Sequence, residues 1–267
     1  MGVRGRLPNR VRWGIKRGMN TPAATAIQEA LALHRQGKRD LAMQRYVAIL
    51  QQNPQNVDAL YYVAVLALQE GQLDEGLKVI RRALDVDSSQ ARLHNLMGQA
   101  HLRQNRDVDA LNSFGRAIDA EPAFADAYGN RGTLLSEMGR PAEAIADFDR
   151  ALTLRPNNPE DHCNRAGALA DLGRLDEAMS GFSRAIALMP ELAPAHFNRG
   201  DLLLRTGRPA EALRDYDRAI ALFPGMAVAH ANRGIALDRL DRPDEALASF
   251  QRAAELDPKF AKLAAKD

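Results

Sequence analysis

The sequence predicts an all-α fold, a right-handed α-solenoid of seven helix-turn-helix repeats, and three observations predict it. The chain repeats with a strict 34-residue period from Ala23 to Phe260, without insertion or deletion. Small and large apolar residues hold fixed places within each period. Glycine and proline fall where helices should stop and start. A period of this length marks stacked supersecondary units, each burying its apolar stripe against its neighbours. Composition agrees: aromatics are only 5% and charged residues 26% of the 267, a profile suited to helices that pack through small contacts.

The chain opens on a basic extension, residues 1–22. Arg4, Arg6, Arg10, Arg12, Lys16 and Arg17 stand there with no acid among residues 1–18. Setting those six aside leaves 30 of the 36 basic residues against 34 acidic ones, so the net charge moves from +2 to −4. The alkaline character belongs to the extension. No apolar run follows the charges, which argues against a secretory signal, and Arg6 stands where a myristoylation signal needs Ser or Thr. The extension reads as a disordered overhang, with Met19 an alternative start and a basic arm or targeting segment the competing readings. Thr21 and Pro22 read as N-cap and first turn of the opening helix.

The repeats then run 23–56, 57–90, 91–124, 125–158, 159–192, 193–226 and 227–260, with a short tail at 261–267. The eighth residue is small throughout (Ala30, Ala64, Gly98, Gly132, Ala166, Gly200, Gly234) and so is the twentieth (Ala42, Gly76, Ala110, Ala144, Ala178, Ala212, Ala246). The twenty-fourth is large: Tyr46, Ile80, Phe114, Phe148, Phe182, Tyr216, Phe250. The twenty-seventh is alanine except for Ile49, and the thirty-second is proline except for Ser88. Small residues let two helices approach within about 8–10 Å, and the large one fills the gap they leave. Gly37, Gly71, Gly139, Gly173 and Gly207 stand where the first helix should end in a left-handed residue. Pro141, Pro209 and Pro243 fall where the second helix can begin with its amide unneeded. In the fourth repeat this predicts helices near 126–138 and 142–154.

These positions reproduce the tetratricopeptide pattern of a small residue, then A-x3-F, then Pro, over about nine-tenths of the chain. The chain resembles a tetratricopeptide-repeat protein. The resemblance implies that the first helices line a concave groove and that the sixth residue of each points into it. Asn130, Asn164, Asn198 and Asn232 occupy that position in four consecutive repeats, a row similar to the asparagine ladder in the repeat region of O-linked N-acetylglucosamine transferases. An amide donates and accepts at once, so it can hold a peptide backbone without reading side chains. Tyr61, Tyr62 and Phe197, at fifth and sixth positions, are either apolar anchors for the bound segment or ordinary groove filling. A carboxylate clamp of the chaperone-binding type is not expected, because Gly129, Thr133, Pro194 and Asn198 stand where it needs cations and amides around Asn164.

Arg131, Arg165, Arg199 and Arg233 follow the asparagines. They read as scaffold residues whose stems cross the helix interface toward Asp147, Asp149, Asp215 and Asp217. His94, His162, His196 and His230 share the fourth position. Equivalent residues of adjacent repeats lie about 10 Å or more apart, too far to converge on one metal, so the rings read as core filling. No catalytic motif is present, Cys163 has no base fixed beside it, and acidic pairs follow a solvated helix face. No enzyme activity, cofactor or metal is expected. The lone cysteine fits a reducing compartment and no run of 18 apolar residues exists, so a cytoplasmic location without membrane insertion is the expectation. Nucleic acid is not expected, for want of a basic stripe beyond the extension.

The function expected is a scaffold or adaptor holding an extended segment of a protein partner. The alternative is an accessory arm of a bacterial glycosyltransferase system, because the opening repeats resemble those that precede such enzymes. After Phe260 only AKLAAKD remains, so Leu247, Phe250 and Ala254 are expected to be partly uncovered, a face that invites self-association.

Overall fold

The computed structural model describes residues 22–265. The basic stretch 1–18 and the Thr21 cap lie outside the described residues. The fold is all-helical, with no strand among the described residues. The chain divides into two compact units, Met1–Glu137 and Met138–Asp267.

The first unit carries α1 (Pro22–Arg35), α2 (Arg39–Gln52), α3 (Val57–Gln69), α4 (Leu73–Val86), α5 (Ala91–Arg103), α6 (Asp107–Ala120) and α7 (Ala125–Glu137). The second carries α8 (Pro141–Leu154), α9 (Pro159–Asp171), α10 (Leu175–Leu188), α11 (Ala193–Arg205), α12 (Pro209–Leu222), α13 (Ala227–Asp238), α14 (Pro243–Leu256), a 3-10 turn at Pro258–Phe260 and the short α15 (Ala261–Ala264). α1 begins at Pro22, the residue read as the first turn of the opening helix. α8 begins on Pro141 itself, whose missing amide is one the first turn leaves unpaired anyway. The expected tail is helical over Ala261–Ala264 and packs on α14.

Odd-numbered and even-numbered helices pair as hairpins within each unit, and each even helix also packs on the odd helix that follows it. The paired helices interlock through the small and large positions. A β-carbon added to Gly98 would sit 2.5 Å from Phe114 Cε1, and one added to Gly234 would sit 2.5 Å from Phe250 Cε1. Tyr46, Phe114, Phe148 and Tyr216 are fully buried, as are Ala42, Ala110, Ala144 and Ala212 four residues before them. Such contact is closer than any β-carbon would allow, so ring and glycine are set by one another.

The hairpin turns close by one device. In the first, the Lys38 amide donates to the Leu33 carbonyl at 3.0 Å across a left-handed Gly37 (φ +76°), and in the last the Arg242 amide donates to Leu237 at 3.1 Å. The third and seventh repeats lack glycine at this point. Asn105 and Asp241 take the left-handed conformation instead, each at φ 57°. At the C-terminal end, on α14, Leu247 is 39% exposed, while Phe250 and Ala254 are half-buried.

Asn and Asp tolerate the left-handed region better than other residues, but glycine adopts it without steric cost. Asp241→Gly should therefore raise the urea midpoint by about 0.5–1 kcal/mol equivalent, and Gly207→Ala should lower it by about 1–2 kcal/mol. A midpoint for Asp241→Gly at or below that of the parent chain would contradict this account.

Candidate functional site

In the second unit the first helices α9, α11 and α13 touch in succession, and their sixth-position asparagines share one face. Asn198 donates from Nδ2 to Cys163 Sγ on the preceding first helix at 3.8 Å. Asn232 donates from Nδ2 to Asp201 Oδ1 at 3.4 Å. Both contacts are long. An amide side chain has a carbonyl oxygen and two N–H groups, more than one long bond uses. Asn198 and Asn232 are half-buried, and Asn164 is exposed at the start of the row. Phe197 is half-buried, its ring 6.0 Å from that of Tyr216.

Asn130 lies in the first unit, where its Nδ2 donates to the buried Asn95 Oδ1 at 2.9 Å. That amide already makes a good bond to the helix before it. The two tyrosines resolve toward packing. Tyr62 is 1% exposed and stacks on Tyr46 with ring centroids 5.4 Å apart. Tyr61 meets Tyr62 edge-on and carries the Arg92 guanidinium 4.7 Å above its ring, with Arg92 itself held by Asp58. Tyr62 is core and Tyr61 is capped, so neither ring offers a face for docking in this structure.

One group on this face was not singled out by the sequence pattern, and it lies beside the twenty-fourth-position Tyr216 of α12. Asp201, at the ninth position of its repeat, is half-buried, and burial pushes its carboxyl above the usual carboxylate range. Tyr216 is fully buried, and its hydroxyl lies beside Asp201 and Asn232 without a well-formed hydrogen bond. The ninth position varies freely among repeats, so no periodic signal marks Asp201.

Arg165, Arg199 and Arg233 act as the sequence predicts. Arg165 Nε donates to Asp149 at 2.5 Å, and Arg233 to Asp217 at 2.6 Å and to Ser249 Oγ at 2.7 Å. Arg199 forks onto both oxygens of the buried Asp215 at 2.7 and 2.8 Å, with Ser183 at 3.3 Å. Arg165 and Arg233 take their acid from the second helix before them, and Arg199 takes it from its own hairpin. Exposed forks at the second-helix starts, such as Arg208 on Glu211 at 2.7 Å, contribute about 0.2–1 kcal/mol each.

The fourth-position histidines do more than fill space. Each directs Nε2 at the carbonyl six residues earlier: Ser88, Pro156, Pro190 and Pro224, at 2.8, 2.8, 3.1 and 3.1 Å. A carbonyl only accepts, so the proton sits on Nε2. Tyr128 reaches the Pro122 carbonyl in the same way at 3.4 Å. These rings tie the inter-repeat turns to the helices they lead into; His94 and His196 are buried there, and His162 and His230 half-buried. Cys163 is buried, and burial pushes its thiol up to about 12. No metal-ligating cluster exists among the described residues, and no described helix is long and apolar enough to cross a membrane.

Three family models, each described as a tetratricopeptide repeat, match residues 33–100, 125–158 and 197–259. A tetratricopeptide repeat protein from Parabacteroides merdae is 19% identical over 91% of this chain and 97% of its own, with a TM-score of 0.68. Pseudomonas aeruginosa PilF is 19% identical over 79% of this chain and 97% of its own, at 0.71. YrrB, described as a TPR protein with an unusual peptide-binding site, is 26% identical over 69% of this chain and 95% of its own, at 0.57. No curated protein matches the chain.

Two measurements test this geometry. Burial holds the rings of His34, His101 and His230 below the ordinary 6.5. The unfolded chain therefore takes up protons first, and stability that is complete above pH 6.5 falls as pH drops below it. The melting temperature should decline from pH 7.5 to 5.5, and replacing the three by glutamine should flatten the decline; a flat parent profile would refute it. Separately, Asp215→Ala should cost about 1.5–3 kcal/mol in urea unfolding, because it strands a half-buried guanidinium. Asp217→Ala, at an exposed pair, should cost about 1 kcal/mol or less. Equal losses would contradict the different burial of the two carboxylates.

Proposed function

On the premise that this chain is a tetratricopeptide-repeat protein, we propose that it is a protein-binding scaffold. It holds an extended segment of a partner against the first-helix face of α9, α11 and α13. One observation carries the reading: asparagines stand one repeat apart along α9, α11 and α13, and the bonds from Asn198 to Cys163 and from Asn232 to Asp201 are long. A side-chain amide with an open carbonyl and N–H matches a peptide group in both senses. Asn198 and Asn232, with Asn164 at the same position one repeat earlier, suit an extended backbone rather than a compact ligand. Phe197 adds a half-buried ring to the same face, an anchor for an apolar side chain. Asn130 belongs to the same row in sequence, but its bond to Asn95 gives it a structural share in the first unit. No observation favours the glycosyltransferase accessory arm.

The test uses the full chain and a displayed library of random dodecapeptides. Peptides enriched on the parent chain should lose about tenfold or more in affinity for the Asn164→Ala/Asn198→Ala/Asn232→Ala variant, since each lost hydrogen bond is worth roughly 0.5–1.5 kcal/mol. Methylating backbone nitrogens of the peptide should weaken binding more than replacing its side chains with alanine. Affinity unchanged by the triple substitution would remove the amides from the mechanism.

A further inference from the structure

Several acidic side chains of the second unit meet an arginine, and Asp201 does not. Asp161 is buried and meets Arg155 Nη2 at 3.1 Å. Asp215 is buried and holds Arg199. Asp149 and Asp217 are more exposed, yet each has its arginine. Asp201 is half-buried and forms no ion pair with any described residue; its one contact is the 3.4 Å approach of the Asn232 amide. Arg205 is the cation whose field reaches it, and that field is too weak to offset burial, so the carboxyl titrates above its usual range.

The surroundings of Asp201 are those of a receiving site. Asn232 places the carboxylate on the asparagine face, because the amide of one repeat reaches the ninth position of the repeat before it. The Tyr216 hydroxyl lies buried beside the same two groups with no well-formed hydrogen bond. At the equivalent point one repeat earlier stands Gly167, where an added β-carbon would meet nothing within 4 Å. α9 therefore offers no side chain of its own at that position. Desolvating a carboxylate without a cation costs free energy that a charge-assisted bond from outside would recover.

We infer that the segment held on this face presents a lysine or arginine whose charge seats on Asp201. The inference rests on the scaffold reading above and names the chemistry of its partner: a basic side chain within an extended peptide, with the asparagines holding the backbone on either side. Charge complementarity selects this occupant over an acidic or wholly apolar one, because either would leave the half-buried carboxylate unmatched.

The experiment pans the same dodecapeptide library on the full chain and on Asp201→Asn. Peptides enriched on the parent chain should share a Lys or Arg at one position. Replacing that residue by Gln should weaken binding about tenfold on the parent and leave binding to Asp201→Asn unchanged, so that the two losses do not add. Asp201→Asn should also melt at or above the parent temperature without peptide, because it removes a desolvated charge and no ion pair. Enriched peptides that need Asn164, Asn198 and Asn232 but lack a basic residue, or that bind Asp201→Asn equally well, would overturn the inference and leave the scaffold reading standing. A lower melting temperature for Asp201→Asn would overturn it too, by making the carboxylate structural. A library from which nothing is enriched overturns both.

Discussion

Phe114 and Phe250 lie where the β-carbons of Gly98 and Gly234 would be, and the rest of the architecture is arranged around that close approach. Two antiparallel helices cannot come so near unless one gives up its side chain where the other inserts a ring. The alanines at the twentieth and twenty-seventh positions keep the neighbouring surface equally thin. Each hairpin is consequently rigid and shallow. It buries a narrow stripe and leaves the broad outer faces of its first helix for other uses.

The polar groups follow from that economy. A thin interface has little room for a charged side chain, so the seventh-position arginines lie along it and deliver their guanidinium groups to carboxylates at its edge. Helix ends leave carbonyls without partners, and the residue at the thirty-second position, proline in every repeat but the second, leaves one at a defined point. The fourth-position imidazoles take up those carbonyls. The scaffold thus satisfies its own polar groups with residues that recur at fixed positions. A group that departs from the recurrence, such as Asp201, stands out because the scaffold has no use for it.

Much of this was legible in the sequence. The small and large positions, the glycine turns and the arginine–aspartate partnership depend on residue type at a fixed spacing, and that spacing survives folding unchanged. Other features were not legible, for physical reasons. Asn105 and Asp241 adopt the left-handed turn through the tolerance of a short polar side chain, which residue type alone does not distinguish from solvation. Tyr62 occupies a position whose asparagine counterparts lie on the first-helix face of the second unit, yet its ring folds onto Tyr46, a contact across repeats that periodicity cannot encode. The histidines were seen as packing because their acceptor is a backbone carbonyl, and backbone carries no sequence signal. Asp201 sits at a position without a pattern, and only its burial sets it apart from the many acids on solvated faces.

The seventh-position arginines carry a consequence for how such an array can change. Arg165 and Arg233 draw their carboxylate from the preceding repeat, whereas Arg199 draws it from its own. The hairpins are alike in shape but not interchangeable in charge. Excising the sixth repeat would leave Arg233 between Ser183 and Ser249, facing hydroxyls and no acid. Excising the fifth would set Arg199 between Asp149 and Asp215, with two acids for one cation. The backbone would accept any permutation of its units, but the side chains record a single order, so duplication or loss of a repeat must be followed by compensating substitutions one repeat away.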